Sequence, residues 1–239
     1  MTEVSGRKIV IMGGTSGMGL AAARQLASLG ASLVVTGRDQ DRAAKVRQEN
    51  PELAVEIVDA TSVEALDSFY QSQASIGDLV LCVSGAKGAG PFAQLSSVEL
   101  HEGFQQKFFA QFHAAQRALP FLQKDGSITF VSAISARAAN PGTVGLAAIN
   151  GAIESMVKPL ARELKPLRIN AVSPGVVETP WWDKLTPNLR ETLLKQSAAA
   201  SLVGRNGSPQ ELGSAIAFLV TNGFVNGTVL EIDGGLRLS

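Results

Sequence analysis

The chain has 239 residues, of which 45% are hydrophobic, so it can bury the core of one α/β domain. Its 21 lysines and arginines balance its 21 aspartates and glutamates, so no global field attracts nucleic acid or an anionic membrane. The single cysteine, Cys82, excludes an internal disulfide framework. No apolar stretch reaches the roughly 20 residues of a spanning helix, and the amino terminus lacks a signal peptide's apolar run, so we expect a cytoplasmic protein.

Strand and helix patterns alternate along the chain. Apolar residues recur at spacings of three and four, as at Met18, Ala22 and Leu26, which predicts amphipathic helices between the strands. Such alternation needs parallel crossovers, so we predict a single Rossmann-type α/β domain over residues 1–239, with a doubly wound parallel sheet and helices on both faces. Seven β-branched apolar runs predict the strands, in chain order Lys8–Met12, Ser32–Thr36, Ala54–Val58, Leu79–Val83, Ile128–Ser132, Arg168–Val172 and Thr228–Ile232.

A glycine-rich turn directly follows the first predicted strand and opens the first predicted helix. Glycines there let the backbone approach a diphosphate, and the N–H groups and dipole of the helix start stabilise its negative charge. An ordinary glycine-rich turn is the alternative interpretation. The strand–turn–helix setting favours a dinucleotide site that includes Gly13, Thr15, Ser16, Gly17, Met18 and Gly19.

Arg38 comes directly after the second predicted strand. In a Rossmann fold an acidic residue at this point binds the ribose 2′-hydroxyl of NAD, whereas an arginine favours the 2′-phosphate of NADP. The run Thr36-Gly37-Arg38 offers no carboxylate and a guanidinium suited to bidentate phosphate contact. The sequence therefore favours NADP(H), with surface pairing of Arg38 to Asp39 or Asp41 as the alternative.

Further motifs follow in order along the chain: the glycine spacing, Val58-Asp59-Ala60, a glycine after the fourth strand, and the run Arg168–Gly175. With these motifs the chain resembles the short-chain dehydrogenase/reductase family from about Arg7 to Gly235. The resemblance implies a homodimer or homotetramer, formed through the predicted helices Ser96–Leu122 and Thr143–Leu164. It also implies further cofactor contacts at Asp59, Ala60, Ser84, Gly85, Ala86, Pro174, Gly175, Val177 and Thr179.

The family's usual catalytic residues are missing. Members of the family reduce carbonyls with an asparagine, a serine, a tyrosine and a lysine. The resemblance places those positions at Lys107, Ala133, Leu146 and Asn150, so all four are replaced. The only tyrosine, Tyr70, precedes the fourth strand, and we expect it to pack in the outer helical layer.

Lysine and asparagine look exchanged between two of these positions. We hypothesise that Lys107 supplies the cation of the site and can donate a proton, with Asn150 bonding the ribose or a water and Ser135 offering a hydroxyl. A solvated Lys107 and a turn role for Ser135 are the alternatives. We interpret His101 and His113 as interface or surface residues, and the sequence shows no metal-binding cluster.

The loop Pro174–Pro187, which holds both tryptophans, begins a predicted substrate lid around residues 176–205. These features together predict an NADPH-dependent oxidoreductase that transfers hydride to a small carbonyl or conjugated substrate, with no nucleic-acid or membrane partner. A catalytically silent NADP(H)-binding sensor or partner protein, or a non-redox enzyme that reuses the pocket, is the alternative.

Overall fold

A computed structural model, which describes residues 4–239, has seven parallel strands in one sheet. Their order across the sheet is β3-β2-β1-β4-β5-β6-β7, and each neighbouring pair is parallel. This confirms the predicted Rossmann-type fold. The strand bounds are β1 Lys8–Met12, β2 Ser32–Gly37, β3 Ala54–Ile57, β4 Ile76–Leu81, β5 Leu122–Val131, β6 Arg168–Pro174 and β7 Val229–Ile232.

Helices cover both faces of the sheet. The helices α1, α2 and α8 pack on one face, and α3, α5 and α6 pack on the other. Within residues 4–239, no helix is long and apolar enough to cross a membrane. The helix bounds are α1 Gly17–Ser28, α2 Gln40–Glu49, α3 Val63–Ser72, α4 Ser97–Gly103, α5 Ala110–Ala118, α6 Val144–Glu163, α7 Pro187–Ala200 and α8 Pro209–Thr221.

The first strand shows how the two cores are divided. Ile9 and Ile11 belong to the core beneath α1, α2 and α8, whereas Val10 and Met12 belong to the opposite core. Successive side chains of a strand point to opposite faces, so a strand buried on both sides is apolar throughout. The continuous apolar runs of the sequence follow from this arrangement.

Several strand ends differ from prediction, and those of β4 and β5 differ most. The strand β4 spans Ile76–Leu81, whereas the prediction was Leu79–Val83. The predicted start was too late because the strand contains Asp78, a residue untypical of a strand core. Arg7 Nε donates to Asp78 Oδ2 at 2.6 Å, and Ser127 Oγ donates to Asp78 Oδ1 at 2.6 Å, so the buried carboxylate is paired. The strand β5 likewise begins before its predicted start, at Leu122.

The predicted helix Ser96–Leu122 is not one regular helix. A π-helical segment, Phe104–Phe109, separates α4 from α5. Extra-residue turns of this kind occur often at functional sites, and Lys107 lies in this one.

Tyr70 is buried in α3 and stacks on Phe121 just before β5, at the amino edge of the sheet, as its predicted packing role requires.

Two helical glycines provide a test of the packing between α1 and α8. A Cβ on Gly213 would lie 2.8 Å from the carbonyl carbon of Ala21, whereas a Cβ on Gly151 of α6 would meet nothing within 4 Å. We expect Gly213→Ala to lower the free energy of unfolding by about 1–3 kcal/mol, because backbone must shift. Gly151→Ala, the matched control, should raise it by about 0.5–1 kcal/mol through helix propensity. Urea unfolding measures both changes, and an equal effect of the two substitutions would contradict the close packing.

Candidate active site

The predicted site residues lie at one edge of the sheet. Parallel strands have their carboxyl ends at the same edge, so the loops that follow them converge. Lys107 and Asn150 come from helical segments and reach this edge through contacts with the chain after β5. The cofactor candidates at or just beyond the strand ends are Gly13, Thr15, Ser16, Gly17, Met18, Gly19, Arg38, Asp59, Ala60, Ser84, Gly85, Ala86, Pro174, Gly175, Val177 and Thr179.

The turn after β1 has the backbone shape of an anion cradle. Gly13 and Gly17 have positive φ angles of 78° and 53°, which favour glycine. A Cβ on Gly13 would lie 2.9 Å from the backbone carbonyl of Cys82, and one on Gly17 would lie 3.2 Å from Thr179 Cγ2. The first turn of α1 contains no acidic residue, and its N-cap, Ser16, makes no side-chain capping bond within residues 4–239. The donors and dipole of this helix start therefore fit a diphosphate.

A cleft of about 760 Å³ continues this edge beyond β2 and β3. Arg38 and Thr61 line one side of it, and residues of α4 and the π-helical segment line the other. Within residues 4–239 Arg38 forms no ion pair, and Asp39 instead accepts from the backbone N–H of Arg42 at 2.9 Å. The structure thus shows no pairing of Arg38 with Asp39 or Asp41 within these residues.

Asp59 is held by the turn that follows it. Its Oδ1 accepts from Thr61 N at 2.9 Å and from Thr61 Oγ1 at 2.8 Å. The backbone hydrogen bond from Thr61 is the main cause that lowers the pKa of Asp59, and the nearby Arg38 guanidinium adds to it. The carboxylate is thus ionised and fixed beside the cleft.

Lys107 points into the protein. Its Nζ donates to the backbone oxygen of Ser132 at 2.9 Å. Burial lowers the pKa of Lys107 to about 8, and the fields of Cys82 and Glu154 partly oppose that change. Because burial raises the pKa of the Cys82 thiol to about 12, Cys82 is neutral at pH 7 and Glu154 is the counter-charge.

Glu154 is a residue of this region that the sequence analysis missed. Its side chain is 9% exposed, and its Oε1 accepts from Ser132 Oγ and Ser173 Oγ, each at 2.7 Å. Arg137 Nε donates to Oε2 at 2.9 Å. The available signal was its position four residues after Asn150, on the same face of α6. Through Ser132, Glu154 fixes the backbone that receives the Lys107 ammonium.

Asn150 and Ser135 are in direct contact. Asn150 is 2% exposed, and its Nδ2 donates to Ser135 Oγ at 3.0 Å and to Leu146 O at 2.9 Å. Its Oδ1 is buried and accepts no hydrogen bond within residues 4–239. Ser135 accepts one hydrogen bond but donates none there. The pair thus offers an acceptor and a hydroxyl donor to a ligand.

Both tryptophans of the predicted lid are half-buried and anchored to backbone. Trp181 Nε1 donates to Gly85 O at 3.1 Å, across the edge from β6 to β4, and Trp182 Nε1 donates to Val177 O at 2.8 Å. Their rings meet edge to face with centroids 5.0 Å apart. Both rings therefore fix this segment to backbone, one of them to the chain after β4 and the other to the segment itself.

The other candidate proton carriers, His101 and His113, bond or stack within their own helical segment, and His101 also lines the cleft. His101 Nδ1 lies 2.6 Å from Ser97 O, and the His113 ring stacks on Phe109. Among residues 4–239 no group of three or more histidine, cysteine, aspartate or glutamate side chains could hold a metal ion.

Comparison with known proteins gives the same fold and points to redox enzymes. The family described as enoyl-(acyl carrier protein) reductase matches residues 13–237. L-fucose dehydrogenase of Mus musculus is 30% identical over 249 residues, which cover all of this chain and 91% of the relative. A small-chain dehydrogenase solved in complex with NADPH has a TM-score of 0.85 and 27% identity, over 98% of this chain and 99% of that one. A short-chain oxidoreductase of Pseudomonas aeruginosa PAO1, described as containing an atypical catalytic center, has a TM-score of 0.87 and 27% identity, over 98% of each chain.

The buried ammonium of Lys107 predicts a pH-dependent change in stability. The pKa of Lys107 falls from 10.5 to about 8 on folding, so its charge destabilises the fold below pH 8, and this cost fades as the pH rises toward 10.5. Lys107→Met should therefore raise the free energy of unfolding more at pH 7 than at pH 10, with a difference of at most about 3 kcal/mol. The variant also loses the bond to Ser132 O, which reduces the gain at both pH values.

Chemical denaturation at the two pH values measures this difference. Lys124→Met, at an exposed position near the start of β5, is the control and should show no such dependence. Equal gains for Lys107→Met at pH 7 and pH 10 would show that Lys107 is solvated.

Proposed function

Because this chain belongs to the short-chain dehydrogenase/reductase family, whose matched members are oxidoreductases, we propose that it is an NADPH-dependent oxidoreductase with an atypical active site. Its substrate is a small carbonyl or conjugated compound. The observation that carries the proposal is the partly desolvated Lys107 ammonium. It lies at the sheet edge where the cofactor candidates converge, and its Nζ donates to Ser132 O. A protein that only binds the cofactor has no need of such a costly buried cation.

The residues at the sheet edge fit NADP(H). The glycine turn and the start of α1 would hold the diphosphate, and Asp59 and Ala60 would meet the adenine. Arg38, which forms no ion pair within residues 4–239, would bind the 2′-phosphate. When bound, NADPH supplies a hydride. Residues assigned to the other contacts are Ser84, Gly85, Ala86, Pro174, Gly175, Val177 and Thr179.

Lys107 would hold and deliver the proton. An acid works best when its pKa is near the operating pH, and the lowered pKa of Lys107, about 8, meets that condition. As an ammonium it also stabilises negative charge on a substrate oxygen. Its proton can be replaced from solvent once the product has left.

Ser135 and Asn150 would orient the ligands. The Ser135 hydroxyl accepts from Asn150 Nδ2, so its own proton is directed away from that bond and can be donated to a substrate oxygen. The buried Asn150 Oδ1 needs a donor, and a hydroxyl of the cofactor ribose is of the right kind. The segment around 176–205 would act as a lid that excludes water through its tryptophans.

We also propose that the protein is a homo-oligomer. The segment from α4 to α5 carries half-buried rings at Phe104, Phe108 and Phe112, which contact one another along one side of the helix. A second copy of this face would cover them. A cytoplasmic location remains a prediction from the sequence.

Turnover with Lys107→Met tests the catalytic part of the proposal. NADPH fluorescence is followed on titration, and then after addition of ketones, aldehydes, enones, imines and quinones. We expect consumption by the wild type, at a rate that falls as the pH rises through about 8, because the protonated lysine is required. Lys107→Met should lose at least about 100-fold in rate while NADPH binding changes little.

The exposed-lysine variant Lys124→Met is the control and should keep the wild-type rate. Tight NADPH binding by the wild type with no consumption across the whole panel would instead favour the silent sensor or partner protein.

Arg38→Gln tests the choice of cofactor. The substitution removes the guanidinium charge, so NADPH affinity should fall by about 10-fold or more while NADH affinity stays nearly constant. Isothermal titration with each nucleotide measures the two changes. An unchanged NADPH affinity would remove Arg38 from the cofactor site.

A further inference from the structure

The turn after β5, which carries Ser135, is bound at both of its ends to one carboxylate. Ser132 Oγ donates to Glu154 Oε1 at 2.7 Å, and Arg137 Nε donates to Glu154 Oε2 at 2.9 Å. Between these ends, Ser135 Oγ accepts from Asn150 Nδ2 at 3.0 Å. Asn150 and Glu154 lie one helical turn apart on α6. The helix α6 therefore holds this turn at three points, and the place of Ser135 depends on Arg137 as well as on Ser132.

Arg137 also connects the turn to the last strand. Its Nη1 lies 2.8 Å from Glu231 Oε1 on β7. Arg237 Nε lies 2.6 Å from Glu231 Oε2, and Arg237 Nη1 donates to Asp233 Oδ1 at 2.6 Å. A Cβ on Gly175, after β6, would lie 2.7 Å from Asp233 Cα. A continuous series of ion pairs, here called the ion-pair row, thus runs from α6 to the turn after β6. Its members are Glu154, Arg137, Glu231, Arg237 and Asp233.

The ion-pair row carries a net negative charge, and Lys107 lies at one end of it. The row contains three carboxylates and two guanidiniums. Lys107 Nζ donates to Ser132 O, and Ser132 Oγ donates to Glu154, so one residue separates the ammonium from the row. Within residues 4–239 the other ionisable group that acts on Lys107 is Cys82, at the end of β4, and burial raises the pKa of its thiol to about 12. The ammonium is therefore the charge that balances the row.

We propose that Arg137 is a positioning residue for the reaction, and that it acts on Lys107 and Ser135 through Glu154. Arg137 binds the turn after β5 to α6 on one side and to β7 on the other. A guanidinium beside a carboxylate weakens the field of that carboxylate at a third charge. Glu154 therefore favours the ammonium form of Lys107, and Arg137 opposes it. This inference rests on the proposed function, because it takes Lys107 as the group that holds the reactive proton.

The titration of Lys107 tests the opposite effects of Glu154 and Arg137 without cofactor or substrate. Protein labelled with ¹³C at lysine Cε is titrated by NMR, and the Lys107 signal is identified by its absence from Lys107→Met. Glu154→Gln keeps the shape and removes the negative charge, so the midpoint should fall by about 1 pH unit. Arg137→Met removes the opposing charge, so the midpoint should rise, by about 0.5–1 pH unit.

Two further variants separate charge from geometry and from general stability. Arg137→Lys keeps the charge, so the Lys107 midpoint should stay near that of the wild type. One ammonium cannot reproduce the fork that holds two carboxylates, so the rate should recover only in part. Arg24→Met removes an ion pair with Glu49 on the opposite face of the sheet and is the control. It should leave both the midpoint and the rate unchanged, and thermal unfolding establishes that each variant is folded.

The rate of NADPH consumption tests the positioning role. The protonated lysine is required, so the rate falls as the pH rises through the Lys107 midpoint. That fall should move to lower pH in Glu154→Gln and to higher pH in Arg137→Met. We expect Arg137→Met to lower kcat by about 10-fold and to change KM for NADPH little, because Ser135 is displaced while the cofactor contacts remain.

The outcomes separate this inference from the proposed function. Unshifted Lys107 midpoints in both variants, or shifts in the same direction, would overturn the inference even if the wild type consumes NADPH. A loss of stability in Arg137→Met with unchanged midpoint and kcat would show a merely structural ion pair and overturn it too. Opposite shifts in a wild type that consumes no NADPH across the substrate panel would support the charge coupling and overturn the proposed function.

Discussion

The close approach between the turn after β1 and the end of β4 determines the geometry of the sheet edge that holds the candidate site. A Cβ on Gly13 would lie 2.9 Å from the backbone carbonyl of Cys82, so only glycine lets β1 and β4 stay paired as far as Met12 and Leu81. Connections from β1 lead to β2 and β3 on one side, and those from β4 lead to β5, β6 and β7 on the other. A crevice opens where the direction changes, and ligands bind in such crevices. Cys82, whose carbonyl makes this contact, also lies near the Lys107 ammonium.

The partly buried Lys107 ammonium is costly, and its surroundings explain how the fold tolerates it. The Ser132 carbonyl accepts its hydrogen bond, and the Glu154 carboxylate supplies the opposite charge. Two serine hydroxyls and Arg137 satisfy Glu154 in turn. The site thus keeps a cation whose pKa is near neutral at the expense of folding stability. Local conflicts of this kind are expected at functional sites and not in a core selected for packing alone.

The fold could be predicted because its signals are local. Apolar strand runs, helical spacing and the glycine turn each act over a few residues, and all the predicted strands are present. The start of β4 was misplaced because Asp78 is acceptable in a strand only through its partners Arg7 and Ser127, which are distant in sequence. The π-helical segment was missed because one extra residue in a helical turn barely alters the apolar spacing.

The candidate site was predicted in part for the same reason. Positions fixed by their distance from a strand end, such as Arg38 and Asp59, lie at the predicted edge. Glu154 follows no strand end, and its place beside Ser132 and Ser173 depends on how α6 packs on the sheet. Long-range placement of this kind follows from the three-dimensional path of the chain and not from spacing along it.

Lys107 and Asn150 contribute different chemistry to the two sides of the candidate site. A lysine at position 150 could only donate, whereas Asn150 donates to Ser135 and leaves Oδ1 as a buried acceptor. An unpaired acceptor in a buried place costs free energy until a donor arrives, so this position favours a ligand that brings a hydroxyl. An asparagine at position 107 could not carry charge, whereas Lys107 holds a proton that it can release near neutral pH. The cation of this region therefore lies on the π-helical segment, and α6 contributes an uncharged acceptor.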